Sequence, residues 1–245
     1  MNIVFDVDDT LYDLMDPFRR THEELYAPKT DTPCEQLFIQ SRKYSDEAFY
    51  QWSRGLIDKT QEFHYRISKT YADAGICLTE KDTAYFNERY RYYQGKIQIF
   101  AGMADLLDCL KERKVRLAIL TNGKQKDQGN KIHVLGLDAW FVQDHIFISE
   151  DLPAPKPDVR PYKCVEEKLQ FKPEETWYVG DMLESDILGA NRAGWHSIWF
   201  NHRRRSIDTG STARPDYEVH SVTELREILT GIAKKSYGSS LSAIL

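Results

Sequence analysis

Short apolar runs rich in β-branched and aromatic residues punctuate this chain, and each ends abruptly in polar residues. Ile3-Val4-Phe5 runs into Asp6-Val7-Asp8-Asp9-Thr10, residues 115–120 run into Thr121-Asn122-Gly123, and Trp177-Tyr178-Val179 runs into Gly180-Asp181. Residues 146–148 precede a proline-bearing loop that holds Lys156, and residues 197–200 form a fifth run. Such runs show no polar–apolar alternation, so they read as strands buried on both faces. Helix-length amphipathic stretches separate them, notably 104–114, 161–169 and 184–193. Strand and helix alternating from about residue 97 onward predict a parallel sheet with helices on both sides, an α/β, Rossmann-like doubly wound core.

Residues 14–95 break this rhythm. They are dense in Tyr, Phe, Arg, Glu and Lys at helical spacing and contain no convincing strand, which predicts a smaller helical unit inserted after the first strand. Gly75, Thr79 and the Asp58-Lys59-Thr60 stretch are candidate helix boundaries within it. The expected division is a core of residues 1–13 and 96–235, a helical insertion of 14–95, and a tail of 236–245 that frays after a last helix over 222–235.

A chain of 245 residues can bury a sizeable interior without staples. Its 41% hydrophobic and 29% charged residues suit a soluble globular protein, and no apolar run is long enough to cross a bilayer. The N-terminus lacks the pattern of a secretory signal, so a cytoplasmic location is expected. Cys34, Cys77, Cys109 and Cys164 lie far apart without a C-x-x-C pair and read as reduced thiols. The seven histidines show no metal-binding spacing, and neither a P-loop nor G-x-G-x-x-G follows a strand. A net charge of -5 gives no general attraction to nucleic acid. The Arg203-Arg204-Arg205 run reads as a solvated loop, with attraction of an anionic substrate as a second reading.

In an open parallel sheet ligands bind beyond the carboxyl ends of the strands. Asp6 and Asp8, Thr121 and Asn122, Lys156, and Asp181 and Asp186 all fall on that rim. Singly, each has a structural reading: Asp8, Asp9 and Thr10 can cap a helix, Thr121-Asn122-Gly123 can be a turn, Lys156 a surface lysine, and Asp181 an N-cap. Their order is more telling. An acidic D-x-D-x-T, a hydroxyl residue after a strand, a lysine and a final acidic pair together resemble the haloacid dehalogenase superfamily of phosphohydrolases, over residues 3 to about 200. Many members of that family carry a helical cap between the first two motifs, which gives residues 14–95 a counterpart.

The resemblance implies a magnesium-dependent phosphatase that works through an aspartyl-phosphate. Asp6 would be the nucleophile, Asp8 the general acid and base, and Lys156 a charge joining nucleophile to phosphate. Thr121, Asn122 and Lys156 would bind the phosphoryl oxygens. Asp6, Asp181 and the Asp8 backbone carbonyl would hold Mg²⁺, with Asp186 acting at one remove. The residue types suit the task, because a carboxylate reaches a phosphate dianion only where the repulsion between them is neutralised.

The partner expected is a small phosphorylated metabolite, a nucleoside monophosphate or a sugar phosphate, for a monomer or homodimer. Phe49, Tyr50, Trp52, Arg54, Tyr85, Arg89, Tyr90, Tyr92 and Tyr93 in the insertion suit stacking on a planar base, though packing within the insertion explains most of them more simply. A phosphomutase or a dehalogenase of the same fold, and a non-catalytic regulatory protein that binds Mg²⁺ or a phosphoryl group, are the alternatives. A second aspartate at Asp8 argues against the dehalogenase, since a halide leaves without a proton.

Overall fold

The computed structural model describes the backbone of residues 1–207 and 209–241, with side chains for these residues except 49–53 and 235–241. The chain divides into two compact units, residues 1–13 with 98–245 and residues 14–97.

The first unit is built on a parallel sheet. Among the described residues six strands form it: β1 (Asn2–Phe5), β2 (Arg116–Thr121), β3 (Ile146–Ile148), β4 (Thr176–Gly180), β5 (His196–Phe200) and β6 (Tyr217–Val219), in the order β3-β2-β1-β4-β5-β6. Every neighbouring pair is parallel. All four residues of β1 are buried, as an unbroken apolar strand at the centre of a covered sheet requires. The strand order reverses on either side of β1, so the loops after β1 and β4 open a crevice at the carboxyl edge.

In the second unit, α1 (Asp16–Leu25), α2 (Cys34–Ser53), α3 (Lys59–Asp73) and α4 (Glu80–Gln94) surround an aromatic core of Phe18, Tyr26, Phe38, Phe63, Tyr71 and Phe86. Two reciprocal caps start its helices: Asp58 with Gln61 opens α3, and Thr79 with Asp82 opens α4. Of the aromatics singled out from the sequence, Tyr90 packs against this core, while Tyr85 and Tyr92 are exposed. The Tyr93 hydroxyl donates to Glu24 at 2.8 Å, and the Arg89 guanidinium meets the same carboxylate at 2.8 Å. The side chains of Phe49, Tyr50 and Trp52 lie outside the described residues.

The sheet's own helices are α5 (Met103–Glu112), α6 (Gln125–Val134), α7 (Arg160–Leu169), α8 (Leu188–Ala193) and α9 (Val222–Leu241). One face of the sheet packs Val4, Ala118, Leu120 and Tyr178 against Tyr162, Val165, Ala190 and Trp195. On the other face Phe5 meets Phe141 edge-on, with ring centroids 6.1 Å apart. Strand β6 and helix α6 depart from expectation. β6 is a short edge strand with two exposed residues, and α6 is mostly polar, so neither carries the apolar signal on which periodicity depends. Helix α9 runs past Lys235 to Leu241, and residues 242–245 lie outside the described residues. Among the described residues no helix is long and apolar enough to cross a membrane.

Candidate active site

Asp6 is still part of the sheet: its N–H donates to the Val179 carbonyl at 2.9 Å, and its side chain is buried where β1 ends. The chain then turns sharply, with Leu11 N–H returning to the Val7 carbonyl at 3.0 Å and Asp9 in the left-handed region at φ 58°. A non-glycine residue there is uncommon, and Asp is among the types that tolerate it.

Lys156 reaches this point from the loop after β3. Its Nζ donates to Asp6 Oδ1 at 2.7 Å, to Asp186 Oδ1 at 2.7 Å and to the Tyr178 hydroxyl at 2.6 Å, which in turn donates to the Leu120 carbonyl at 2.7 Å. The amine is thus fully committed, at only 4% exposure of the residue. Asn122 fixes the lysine from behind: its Oδ1 accepts from Lys156 N–H at 2.9 Å and its Nδ2 donates to the Lys156 carbonyl at 3.0 Å. That differs from the expectation of an Asn122 amide aimed at phosphate. The side chain is occupied in holding the lysine loop.

Asp181 follows β4, and Asp186 lies in a π-helical turn, Leu183–Ile187, that leads into α8. The Asp186 Oδ2 accepts from Met182 N–H at 3.0 Å. A Cβ on Gly180 would lie 2.4 Å from that same oxygen, so only glycine lets the strand end pass so close to the carboxylate. Asp6, Asp181 and Asp186 are all buried, and each offers an oxygen within 4.8 Å of the others. Asp186, expected at one remove, belongs to this inner cluster.

Burial and the charges of Asp186 and Asp8 outweigh Lys156 and raise the Asp6 carboxyl to about 6. Burial, with Asp186 and Asp9 nearby, pushes Asp181 well above the ordinary carboxylate range, offset only in part by Arg205. Burial opposes the charge of Lys156, but Asp186 and Asp6 prevail and hold its pKa above the usual value. Carboxylates therefore outnumber cations here. An all-oxygen, mutually repelling donor set is what a hard divalent cation such as Mg²⁺ suits, so these residues fit the ion that the sequence implies.

Asp8 occupies a different setting. Lys131 Nζ donates to both of its oxygens at 2.7 Å, the Tyr12 hydroxyl to Oδ1 at 2.7 Å, and Gln128 Nε2 to Oδ2 at 2.9 Å. Burial alone would raise this carboxyl, but the charge of Lys131 and the hydrogen bonds from Lys131, Tyr12 and Gln128 hold it below the usual range. Lys131 and Gln128 come from one face of α6, the helix without a sequence signal. Their i, i+3 spacing straight after Thr121-Asn122-Gly123 is the one hint the sequence offers.

The arginine run is a correction. Arg203 is largely withdrawn from solvent and Arg205 is exposed but tethered: Arg203 binds Asp9 and Asp13, each at 2.5 Å, and Arg205 binds Asp9 at 3.0 Å and Asp181 at 2.8 Å. Arg204, at φ 52°, is exposed as well. The buried Asp9 carboxylate requires these partners, which tie the loop after β5 to the acidic loop after β1. Thr121, at the end of β2, keeps a buried hydroxyl with no hydrogen-bond partner. The Thr10 hydroxyl is in the same position.

Comparisons with known proteins bear on the family. The model of the haloacid dehalogenase-like hydrolases matches residues 1–194. The pyrimidine 5'-nucleotidase PynA of Streptococcus pneumoniae is 36% identical over 177 residues, 71% of each chain. The solved structure of YfnB from Bacillus subtilis, bound to magnesium, is 27% identical, with a TM-score of 0.68 over 93% of this chain and 97% of that one. A dehalogenase structure at 21% identity and a TM-score of 0.73, over 93% of this chain and 96% of that one, shares the fold. Family model, sheet order and the carboxylate–lysine cluster converge: this chain belongs to the haloacid dehalogenase-like hydrolases.

Proposed function

We propose that this protein is a phosphatase that hydrolyses a small phosphate monoester through an aspartyl-phosphate on Asp6. The observation that carries the reading is the Lys156 ammonium, placed 2.7 Å from both Asp6 and Asp186, with Asp181 in the same cluster. A nucleophilic carboxylate needs a fixed cation beside it before it can meet a phosphate dianion.

In the first half-reaction an Asp6 oxygen forms a bond to phosphorus as the ester P–O bond breaks, and the leaving oxygen takes a proton from the protonated form of Asp8, which the donors around this carboxyl keep in the minority. In the second, Asp8 takes a proton from water as the water oxygen attacks phosphorus and the bond to Asp6 breaks. Lys156, whose three N–H donors go to Asp6, Asp186 and Tyr178, would exchange one of these contacts for a phosphoryl oxygen and so hold it against Asp6, and the unpartnered Thr121 hydroxyl supplies a further donor. Asn122 contributes by keeping the lysine loop in register. Asp6, Asp181, Asp186 and the Asp8 carbonyl would hold Mg²⁺, whose positive charge lowers the repulsion between carboxylate and phosphate.

Asp8 favours a phosphatase over a dehalogenase, because a halide needs no proton whereas an alkoxide does. A pyrimidine nucleoside monophosphate is the first substrate to test, on the strength of the Streptococcus relative. Residues 14–97 would be the counterpart of the helical cap that many members of the family carry. None of the four cysteines is in a disulfide, which accords with a reducing, cytoplasmic setting.

Phosphate release from a panel of nucleoside monophosphates and sugar phosphates, by the wild type and by Asp6→Asn, tests the proposal. Expected is release that favours the nucleotides and falls by at least about 10³-fold in the mutant, the scale for losing a nucleophile. Substantial turnover by Asp6→Asn would refute the nucleophile. Equal or lower activity on nucleotides would refute the substrate class, and rearranged phosphate without free phosphate would indicate a mutase.

A further inference from the structure

Helix α6 turns a polar face inward. Gln128 is only 2% exposed and the Lys131 side chain 14%, although residues of these types are rarely buried unless something specific holds them. Both meet Asp8, 120 and 123 residues earlier in the chain. Gly123 leaves room for the glutamine: at φ 148°, a Cβ there would lie 2.8 Å from Gln128 Nε2. Tyr12, buried on the acidic loop itself, closes the set from the other oxygen.

We propose that Lys131, assisted by Gln128 and Tyr12, is a positioning residue for proton transfer, fixing the plane and reach of the Asp8 carboxyl so that it meets the leaving oxygen. This rests on the phosphatase reading, with Asp8 as acid and base. A carboxyl on a turn has two free torsions, and each orientation lost to rotation lowers the fraction poised to transfer a proton. Lys131 spans both oxygens, which stops rotation about the terminal bond, while Tyr12 and Gln128 each pin one oxygen. An exposed ion pair joining α6 to the loop would add little stability and would need neither the glycine nor the buried glutamine.

The two roles separate by leaving group. An alkyl phosphate needs the proton from Asp8 as its ester bond breaks, whereas p-nitrophenyl phosphate leaves as a stabilised anion and needs little help. In Lys131→Met, kcat/KM on an alkyl phosphate is expected to fall on the order of 10²-fold, the scale of general-acid catalysis. On p-nitrophenyl phosphate the loss should stay within about threefold, since this substrate bypasses that step. Lys131→Arg, which keeps a two-oxygen donor, should recover most of the alkyl-phosphate rate. Equal losses on both substrates, or an Arg variant as impaired as the Met variant with a matching drop in melting temperature, would overturn the proposal in favour of a purely structural pair. A wild-type protein that releases phosphate from neither ester would instead overturn the phosphatase reading itself, and this inference with it.

Discussion

Two lysines each grip a carboxylate of the same acidic loop, and their surroundings give those carboxylates opposite characters. Around Lys156, three buried acids gather within 4.8 Å, and Asp6 is raised to about 6. Around Lys131, a single carboxylate receives donors from three side chains, and Asp8 is held low. The ratio of cations and donors to carboxylates decides the outcome more than burial does, since burial opposes ionisation in both places. A region short of positive charge is suited to receive a cation and a phosphate. A region with its charge satisfied is suited to hold one group still.

Removing Lys156 should break this contrast most severely. Lys156→Met leaves Asp6 and Asp186 buried without their shared cation, which is expected to cost about 3–5 kcal/mol in urea denaturation and to abolish phosphate release. A stability loss no greater than that of Lys131→Met would show the two lysines to be equivalent and end the distinction.

Magnesium comes next. Binding to the folded state alone at a hundredfold excess over Kd adds about 2.7 kcal/mol, a rise of roughly 5–10 °C in melting temperature for a chain of this size. Asp181→Asn should abolish that rise and Asp8→Asn should keep it, since Asp8 offers the ion only its backbone. The reverse result would move the ion to the wrong side of the comparison.

The smallest effect is in pH. A carboxyl raised from its ordinary 3.8 to about 6 on folding binds more protons folded than unfolded between those values, so stability rises as pH falls through 6. With chelator present, Asp6 should add about 1 kcal/mol at pH 5 relative to pH 7, because each tenfold difference in proton affinity between the folded and unfolded chain is worth about 1.36 kcal/mol. Asp8 works the other way: its contribution is present above the ordinary carboxylate value and is lost only as pH falls through its depressed one. Urea midpoints at pH 7 and pH 5 read the first effect together with that of Asp181, which is also raised, and Asp6→Asn should remove the Asp6 share and so narrow the difference between the two midpoints. A midpoint that falls between those pH values would contradict the Asp6 setting.

Much of the site could be read from residue order. Asp6, Thr121, Lys156 and Asp181 each follow a short apolar run, and a parallel sheet brings the carboxyl ends of its strands to one rim. What could not be read is the second layer. In sequence Asn122 reads as a phosphate donor, yet it holds the lysine loop, and the arginine run reads as solvated, yet it neutralises Asp9. The helical insertion was harder still, because aromatic spacing marks a buried face without distinguishing packing from recognition. Tyr90 packs, partly buried, against the aromatic core, whereas Tyr92, two residues on, is exposed.

By itself, then, the order of apolar runs and polar turns determined the parallel sheet, the rim and the identities of the acids and lysine upon it, because strand direction dictates which residues emerge together. Only the tertiary structure decided their electrostatic character. Partners for Asp8 and Asp9 arrive from residues 120 to 196 positions away, on a polar helix and a loop without periodic signal, and a carboxylate's charge depends on those neighbours rather than on its place in the chain.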